Sequence, residues 1–322
     1  MTMNLGLIGV GRHGTRYAQH LLDPDSPGRL VAICRRDAAK GQAFAQNSAL
    51  RFHQDYQSLI QDPEVEAIIV VAPPSLTLPI AITAIQNGKP LLIEKPLAVS
   101  GSDARQIVAR ASQAHVPIMT AHTLRYDVTI AKIKEWEQDI GEWQHLSLTA
   151  RLEHRPHSQE DNKAWNNRGA LLEIGIHVLD LTRFLTGEEI GEVQCETNQS
   201  TPQLPEGHAW GRLTTESGLS CHFDVSRLND SRMTEIKVIG QTGSIYANWS
   251  TSTITRHLQN NTSEKLQLSP LPTIPLVIND FIQALYTETA MPISAEDGLR
   301  AVEIAEACYQ SAAQKHTITL HR

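Results

Sequence analysis

Short runs of Val, Ile and Leu alternate with helical patterns along the first third of the chain. "NLGLIGVG", "RLVAIC", "EAIIVVA", "KPLLIE" and "VPIMTA" read as strands. Helices are expected between them: about Arg12 to Leu22, then "SLTLPIAITAIQNG" halted at Gly88, then about Ser102 to Ala114 opened by a Ser100–Asp103 capping box. Strands that are apolar throughout are buried on both faces. The pattern therefore predicts a parallel sheet covered by helices on both sides.

After residue 121 the period changes. A helix is expected near Val128–Ile140, stopped by Gly141, and then Leu146, Leu148, Ala150 and Leu152 alternate with polar residues. Period-2 alternation marks a strand with one buried face. "HAWGRLTTESGLSCHFDVSRL" reads as two strands joined at Glu216–Gly218, and "TEIKVIGQTGSIYANWS" as a hairpin turning at Gln241–Gly243. Residues 259–275 are polar and broken by prolines, as in a loop with a weak edge strand. Two helices close the chain, about Leu276–Thr287 and Ser294–Gln314. The fold class expected is α/β: a doubly wound parallel sheet over residues 1–121, then an α+β domain with an open, mainly antiparallel sheet over 122–322. The last helix is free to pack back on the first domain. Alternating strands with few covering helices would leave a large apolar face in water, so that sheet is expected to form a homodimer or homotetramer interface.

Length and charge narrow the class. At 322 residues the chain favours two domains, and a net charge of −7 argues against nucleic acid or an anionic membrane as partner. No apolar run approaches the ~20 residues that span a bilayer, and the first residues lack the pattern of a signal peptide. Cys34, Cys195, Cys221 and Cys308 are widely spaced, which suggests neither a disulfide framework nor a zinc site. A cytoplasmic protein with a small-molecule substrate is expected.

The first candidate chemistry is a turn. Gly9, Gly11 and Gly14 have the G-x-G-x-x-G spacing directly after an apolar strand and at the start of a helix. Gly9 allows the tight turn, Gly11 lets backbone approach a pyrophosphate, and Gly14 permits close helix–strand packing. The amides near Arg12 and His13 would meet phosphates at the positive end of the helix dipole. The bland alternative is a tight turn with no ligand. About 20 residues on, where an NAD site usually carries an acid for the ribose, this chain has Arg35 and Arg36, with Asp37 next. Arginine suits a 2′-phosphate, which favours NADP over NAD. Alternatively both arginines are solvated and Asp37 takes the ribose. Ala72 and Pro73, after the "EAIIVVA" strand, complete the cofactor set together with Glu94 and Lys95.

Glu94–Lys95–Pro96 ends the "LLIE" strand in opposite charges and a proline. In a doubly wound sheet ligands gather outside the carboxyl ends of the strands. Lys95 thus stands where it could hold a substrate oxygen and stabilise developing charge, or it simply ends a strand in a surface ion pair. Further on, Glu173, His177 and Asp180 form a polar row on an apolar helix. Oxidising an alcohol needs a base near pH 7, which histidine supplies, and a neighbouring carboxylate can orient it. A helix with one solvated stripe, or a core histidine satisfied by a carboxylate, would look the same.

Gly9–Gly14, "EKP" at 94–96 and "GALLEIGIHVLDLTRFLTG" at 169–187 together resemble the glucose–fructose oxidoreductase/inositol dehydrogenase (Gfo/Idh/MocA) family. So do "SLIQDPEVEAIIVVAPPSLT", "AIQNGKPLLIEKPLA" and the stretch from "INDFIQALY" onward, so the likeness covers nearly the whole chain. It implies a Rossmann domain, an open antiparallel sheet, dimers or tetramers, and NAD(P)-dependent oxidoreduction, often of sugars or cyclitols. It also implies that Lys95 contacts substrate beside the nicotinamide. Related members carry Asp-x-x-x-His where this chain has Glu173-Ile-Gly-Ile-His177, so Glu173 departs by one methylene. Members often have His where this chain has Thr77. His122, Arg125 and Tyr126 look like the family's domain-crossing segment, which can line the substrate cleft. The loop at 151–169 adds His154, Arg155, His157, Trp165, Asn166 and Arg168, of which Trp165 joins His122, Arg125, Tyr126 and Asp180 as substrate-binding candidates. Pro156 between His154 and His157 disfavours a metal there.

The reading is an NADP(H)-preferring dehydrogenase or reductase of a small polyol, sugar or cyclitol. Lys95 would bind the reacting oxygen, His177 would act as general acid/base and Glu173 would orient it. The alternatives are a reductase of an imine or tetrapyrrole, a hydrolase using hydride transfer transiently, and a non-catalytic NADP-binding sensor.

Overall fold

A computed structural model describes residues 2–154, 163, 165–198, 204–259 and 261–321. The chain divides into two compact units, Met1–Thr123 with Pro272–Leu299, and Leu124–Leu271 with Arg300–Arg322. Each unit is built from two stretches of chain, whereas the sequence reading cuts the chain once.

In the first unit β1 (Met3–Ile8), α1 (Gly14–Leu21), β2 (Gly28–Cys34), α2 (Ala38–Asn47), β3 (Arg51–His53) and α3 (Tyr56–Ile60) form one half. β4 (Ala67–Val70), α4 (Thr77–Gln86), β5 (Leu91–Glu94), α5 (Gly101–Ala114) and β6 (Ile118–Ala121) form the other. The sheet order is β3-β2-β1-β4-β5-β6, with every pairing parallel. The order reverses between β1 and β4, which places the switch point of a doubly wound sheet there. Leu5, Leu7, Ile33, Ile68, Ile69, Leu91 and Leu92 are fully buried, as strands covered on both faces require. Ser100 caps α5 by accepting from the Asp103 amide at 3.1 Å. β3 went unread because it is three residues long, carries Phe52 as its only apolar side chain and lies at the sheet edge.

The second unit begins with α6 (Val128–Trp136) and β7 (Trp143–Glu153). A π-helical turn at Leu171–Gly175 then leads into α7 (Ile176–Thr186). β8 (Ile190–Asn198), β9 (His208–Thr215), β10 (Ser220–Asn229), β11 (Met233–Gly240), β12 (Gly243–Asn248), β13 (Thr253–Leu258) and β14 (Ser263–Gln267) follow. Both hairpins turn where the sequence places them, and β14 is an edge strand. β8 and β13 went unread. α8 (Thr273–Thr287) packs beside α1 and β2 in the first unit. α9 (Ala295–Gln314) and β15 (Ile318–Thr319) close the chain. The nine strands run β14-β13-β12-β11-β7-β10-β9-β8-β15, antiparallel except for β7 beside β10.

One face of this sheet is apolar. Leu146, Leu148, Val193, Leu213, Val225, Val238 and Ile245 are fully buried on it, and α6 and α7 pack against the sheet. The other face is polar, as the alternation predicts: its positions carry His145, Arg151, His208, Trp210, Asp224, Lys237 and Tyr246. Arg151 donates both Nε and Nη2 to Asp224, and the Asp224 Oδ1 also meets His208 Nε2 at 3.1 Å. These apolar residues are buried within the single chain, so the face expected to lie in water is covered.

Candidate active site

The residues named for the cofactor all lie at carboxyl ends of strands in the first unit. Gly9 has φ +99°, and a Cβ there would come within 2.2 Å of the Val71 carbonyl oxygen. A Cβ on Gly14 would come within 1.8 Å of the Gly9 oxygen. Both are glycine for steric reasons, and the turn is pressed against the segment that leads to Ala72 and Pro73. Gly11 differs: a Cβ there would meet nothing within 4 Å. It leaves open, exposed backbone in front of α1, with Arg12 and His13 also exposed. This is the geometry a pyrophosphate requires. Arg35 Nη1 donates to the Val10 carbonyl at 2.7 Å, tying the end of β2 to the glycine turn. Arg36 is exposed. Asp37 caps α2 by accepting from the Lys40 amide at 3.1 Å and pairs with the Lys40 ammonium at 2.9 Å. Those contacts hold its carboxyl below the usual range.

Glu94 explains why the β5 strand ends in charge. Its Oε1 meets His13 Nε2 at 2.7 Å and accepts from the Tyr17 hydroxyl at 2.6 Å, while Oε2 accepts from the Lys95 amide at 3.0 Å. Burial opposes ionisation of this carboxyl, but His13, Lys95 and Tyr17 together outweigh it and hold the pKa below the ordinary value. Burial and the same carboxylate push the Tyr17 hydroxyl well up. The glycine-turn helix and the lysine segment are thus fastened through one carboxylate. Tyr17 was not anticipated, although it lies one helical turn after His13, on the same face. Thr77, at the departure from the family pattern, is buried at the start of α4, and His122 is buried just after β6.

In the second unit Glu173 and Asp180, two members of the polar row, are each buried against an arginine. Arg227 donates to Glu173 at 2.6 Å from Nη2 and 3.2 Å from Nε. Arg125 donates to Asp180 at 2.6 and 2.8 Å and lies 5.0 Å from the Phe184 ring centroid. Forked, charge-assisted pairs of this kind are what allow a carboxylate to stay buried. Two predicted substrate ligands, Arg125 and Asp180, are therefore brought together, but as each other's partners. Within residues 170–182 every residue is buried except His177. It sits just after the π turn, a feature that appears most often at functional sites. Tyr126 and Trp165 are half-buried elsewhere in the unit. Arg155 and His157 lie outside the described residues, and among the described residues no group of three metal-type ligands forms.

Arg227 and Glu206 were missed. Glu206 accepts from the Gly169 amide at 3.0 Å with both carboxylate oxygens, from the Leu171 amide at 3.0 Å and from the Tyr309 hydroxyl at 2.7 Å. Nothing in the spacing of "LPEGH" marks it, because its partners are 35 or more residues away.

A doubly wound sheet with a glycine turn open at its switch point defines a dinucleotide-binding protein. Residues 3–122 match the model of the oxidoreductase family with an NAD-binding Rossmann fold, and residues 131–246 match the GFO/IDH/MocA C-terminal domain. The chain belongs to the Gfo/Idh/MocA family, and it is an NAD-binding oxidoreductase. It is 26% identical to inositol 2-dehydrogenase 2 of Saccharopolyspora erythraea, over 98% of this chain and 95% of that one. Its fold matches an oxidoreductase domain protein from Kribbella flavida with a TM-score of 0.91 at 22% identity, each chain covered in full. A levoglucosan dehydrogenase solved with NADH and levoglucosan matches with a TM-score of 0.89 at 21% identity, again over both whole chains.

Proposed function

We propose that the chain interconverts an alcohol and a ketone on a small polyol, sugar or cyclitol, with NADP(H) preferred over NAD(H). The tie between Lys95 and the cofactor turn carries this reading: Glu94 takes the Lys95 amide, His13 and Tyr17 at once. A lysine fastened beside the glycine turn is suited to hold the oxygen of the reacting carbon. The nicotinamide, when bound, supplies hydride acceptance and donation. Lys95 orients the hydroxyl and stabilises charge on its oxygen. His177 takes the hydroxyl proton in oxidation and returns it in reduction. Glu173 supports that histidine by fixing its helix through Arg227. The relatives named for inositol and levoglucosan support this substrate class.

The NADP preference rests on Arg35 and Arg36. Arg35 is anchored to Val10 beside the phosphate turn, and Arg36 is exposed. Both carboxylate oxygens of Asp37 are engaged by Lys40, which leaves a basic ribose end. Gly9, Gly11, Arg12, His13, Gly14, Ala72 and Pro73 would line the rest of the cofactor site. His122, Arg125, Tyr126, Trp165 and Asp180 shape the substrate side, with Arg125 and Asp180 acting as a fixed pair. The deciding experiment offers NADP⁺ or NAD⁺ with myo-inositol, levoglucosan and a panel of related polyols and follows absorbance at the reduced nicotinamide. Turnover of one panel member supports the reading. No turnover of any, together with reduction of an imine by NADPH, overturns it.

The buried, unbridged cysteines suit a reducing cytoplasm, and no helix among the described residues is long and apolar enough to cross a membrane. For assembly we propose a homodimer or homotetramer through the polar face of the nine-stranded sheet. His208 and Trp210 stack there at 4.6 Å between centroids, and Tyr246 is 41% exposed. Aromatic and arginine-rich faces are suited to protein contacts. A monomer by light scattering at micromolar concentration would count against it.

A further inference from the structure

Regular helices leave their first amides without partners inside the helix. Here three consecutive amides at the start of the His177 segment are taken by one distant residue. Gly169 and Leu171 donate to the Glu206 carboxylate, and Ala170 donates to the Glu206 carbonyl oxygen at 2.9 Å. The first bond within the helix itself is from the Glu173 amide to the Gly169 oxygen, at 2.9 Å. Gly169 is required for this approach, since a Cβ there would lie 2.0 Å from the Glu206 oxygen.

The clamp is itself anchored on two sides. The Tyr309 hydroxyl, on α9, donates to Glu206 Oε1, and the Arg168 guanidinium lies 4.0 Å from the Tyr309 ring centroid. The next residue, Gly207, accepts from the Arg227 amide at 2.8 Å. Arg227 is the same residue whose guanidinium holds Glu173. The π turn is therefore fixed at its start by Glu206 and at its polar side chain by Arg227, and His177 follows directly. His177 is half-buried between Ile176 and Val178, both fully buried, so its backbone is carried on this frame.

We propose that Glu206 is a positioning residue: through the amides of Gly169–Leu171 and the Tyr309 hydroxyl it fixes the π turn, and so the imidazole of His177. This rests on His177 being the general acid/base. In this role Glu206 needs no contact with substrate or cofactor. A small displacement of a reacting group made from a distance can cost on the order of 10²-fold in rate, which sets the size of effect to look for.

The first test needs no substrate. Hydrogen exchange across 169–177 and the His177 imidazole resonances are compared in wild type, Glu206→Gln, Glu206→Ala and Tyr309→Phe. Exchange at Gly169 and Leu171, whose acceptor is the side chain, should rise about five- to tenfold in Glu206→Ala, as expected when one or two hydrogen bonds are lost. The His177 resonances should shift or broaden with it. Glu206→Gln keeps a carbonyl acceptor for the same amides and should restore most of both signals. Should Glu206→Ala fail to fold, Glu206→Gln and Tyr309→Phe still give graded changes. Unchanged exchange and an unchanged His177 signal in all foldable variants overturn the proposal.

The second test is a double-mutant cycle, with myo-inositol or levoglucosan as the probe substrate. Glu206→Ala should lower kcat by about 10²-fold with the cofactor dissociation constant unchanged. In a His177→Ala background it should cost nothing further, because its effect passes through that residue. Two failures separate cleanly. Wild-type turnover by His177→Ala alone removes the acid/base assignment. A costly His177→Ala with a fully additive Glu206→Ala leaves that assignment standing and removes the positioning role.

Discussion

Glu94 in the first unit and Glu206 in the second are both buried carboxylates that bond a tyrosine hydroxyl and a backbone amide next to a residue assigned to the chemistry. Their partners differ in charge. Glu94 meets His13 and Lys95 and is held below the ordinary carboxylate pKa, although burial alone would raise it. Glu206 has Tyr309 and the amides of Leu171 and Gly169, and burial prevails, so its pKa is raised. The first is an anion held by His13, Tyr17 and Lys95 beside the glycine turn. The second is a geometric clamp. Substitutions near Glu94 should therefore act through charge and binding as well as rate, and those near Glu206 through rate alone.

The largest effect should come from His177. Removing a positioned acid/base typically lowers rates by about 10²–10⁴, so His177→Ala should lower kcat by that order with KM and the NADP(H) dissociation constant within a few-fold. Lys95→Ala should lower kcat comparably and also raise KM, since a charged contact to the substrate oxygen is lost. Steady-state kinetics on the identified substrate check both. If the lysine variant shows a pure kcat defect, or the histidine variant a pure KM defect, the division between a charge-built and a geometry-built half is wrong.

A smaller effect is expected at the ribose end. Arg35→Asp should weaken NADPH binding by about tenfold or more, since a carboxylate repels the 2′-phosphate, while NADH binding changes less. Fluorescence titration of both nucleotides tests this. Equal loss for both would show that Arg35 serves only to hold the Val10 turn.

Much of this was legible in the chain, for a reason that differs between the units. The parallel sheet carries continuous apolar runs and steric glycines at Gly9 and Gly14, local features that the sequence states directly. The hairpins at Glu216–Gly218 and Gln241–Gly243 are equally local. β3, β8 and β13 were missed because they are short or carry mostly polar outer positions, so their pairing depends on neighbours far along the chain. The site divides the same way. Glu94, Lys95 and His177 stand in recognisable spacings, whereas Glu206, Arg227 and Tyr309 act across long separations. The row Glu173–His177–Asp180 was legible only in part, because periodicity shows which residues share a face but not that Arg227 and Arg125 pair with two of them.

The smallest effect, and the most direct test of the comparison, is the pH dependence of stability. A carboxyl whose folded pKa lies below its unfolded value contributes stability above the unfolded pKa and loses it as pH falls through the folded pKa. Glu94 is of this kind, so the stability of wild type over Glu94→Gln should shrink on acidification below about 4.5, the ordinary glutamate value. A carboxyl with a raised folded pKa behaves oppositely: folding favours its protonated form, and that contribution is present at low pH and lost as pH rises through the folded pKa. Glu206 is of this kind, so the stability of wild type relative to Glu206→Gln should fall as pH rises from about 4.5 toward neutrality. Each difference should be about 1–2 kcal/mol, the scale of a hydrogen bond to a charged group or a buried group left unsatisfied. Urea unfolding of the three proteins at a series of pH values gives both difference curves. Opposite slopes sustain the contrast between a charge-compensated and an uncompensated carboxylate. Slopes of one sign would mean that the donors around Glu206 outweigh its burial as the cations around Glu94 do.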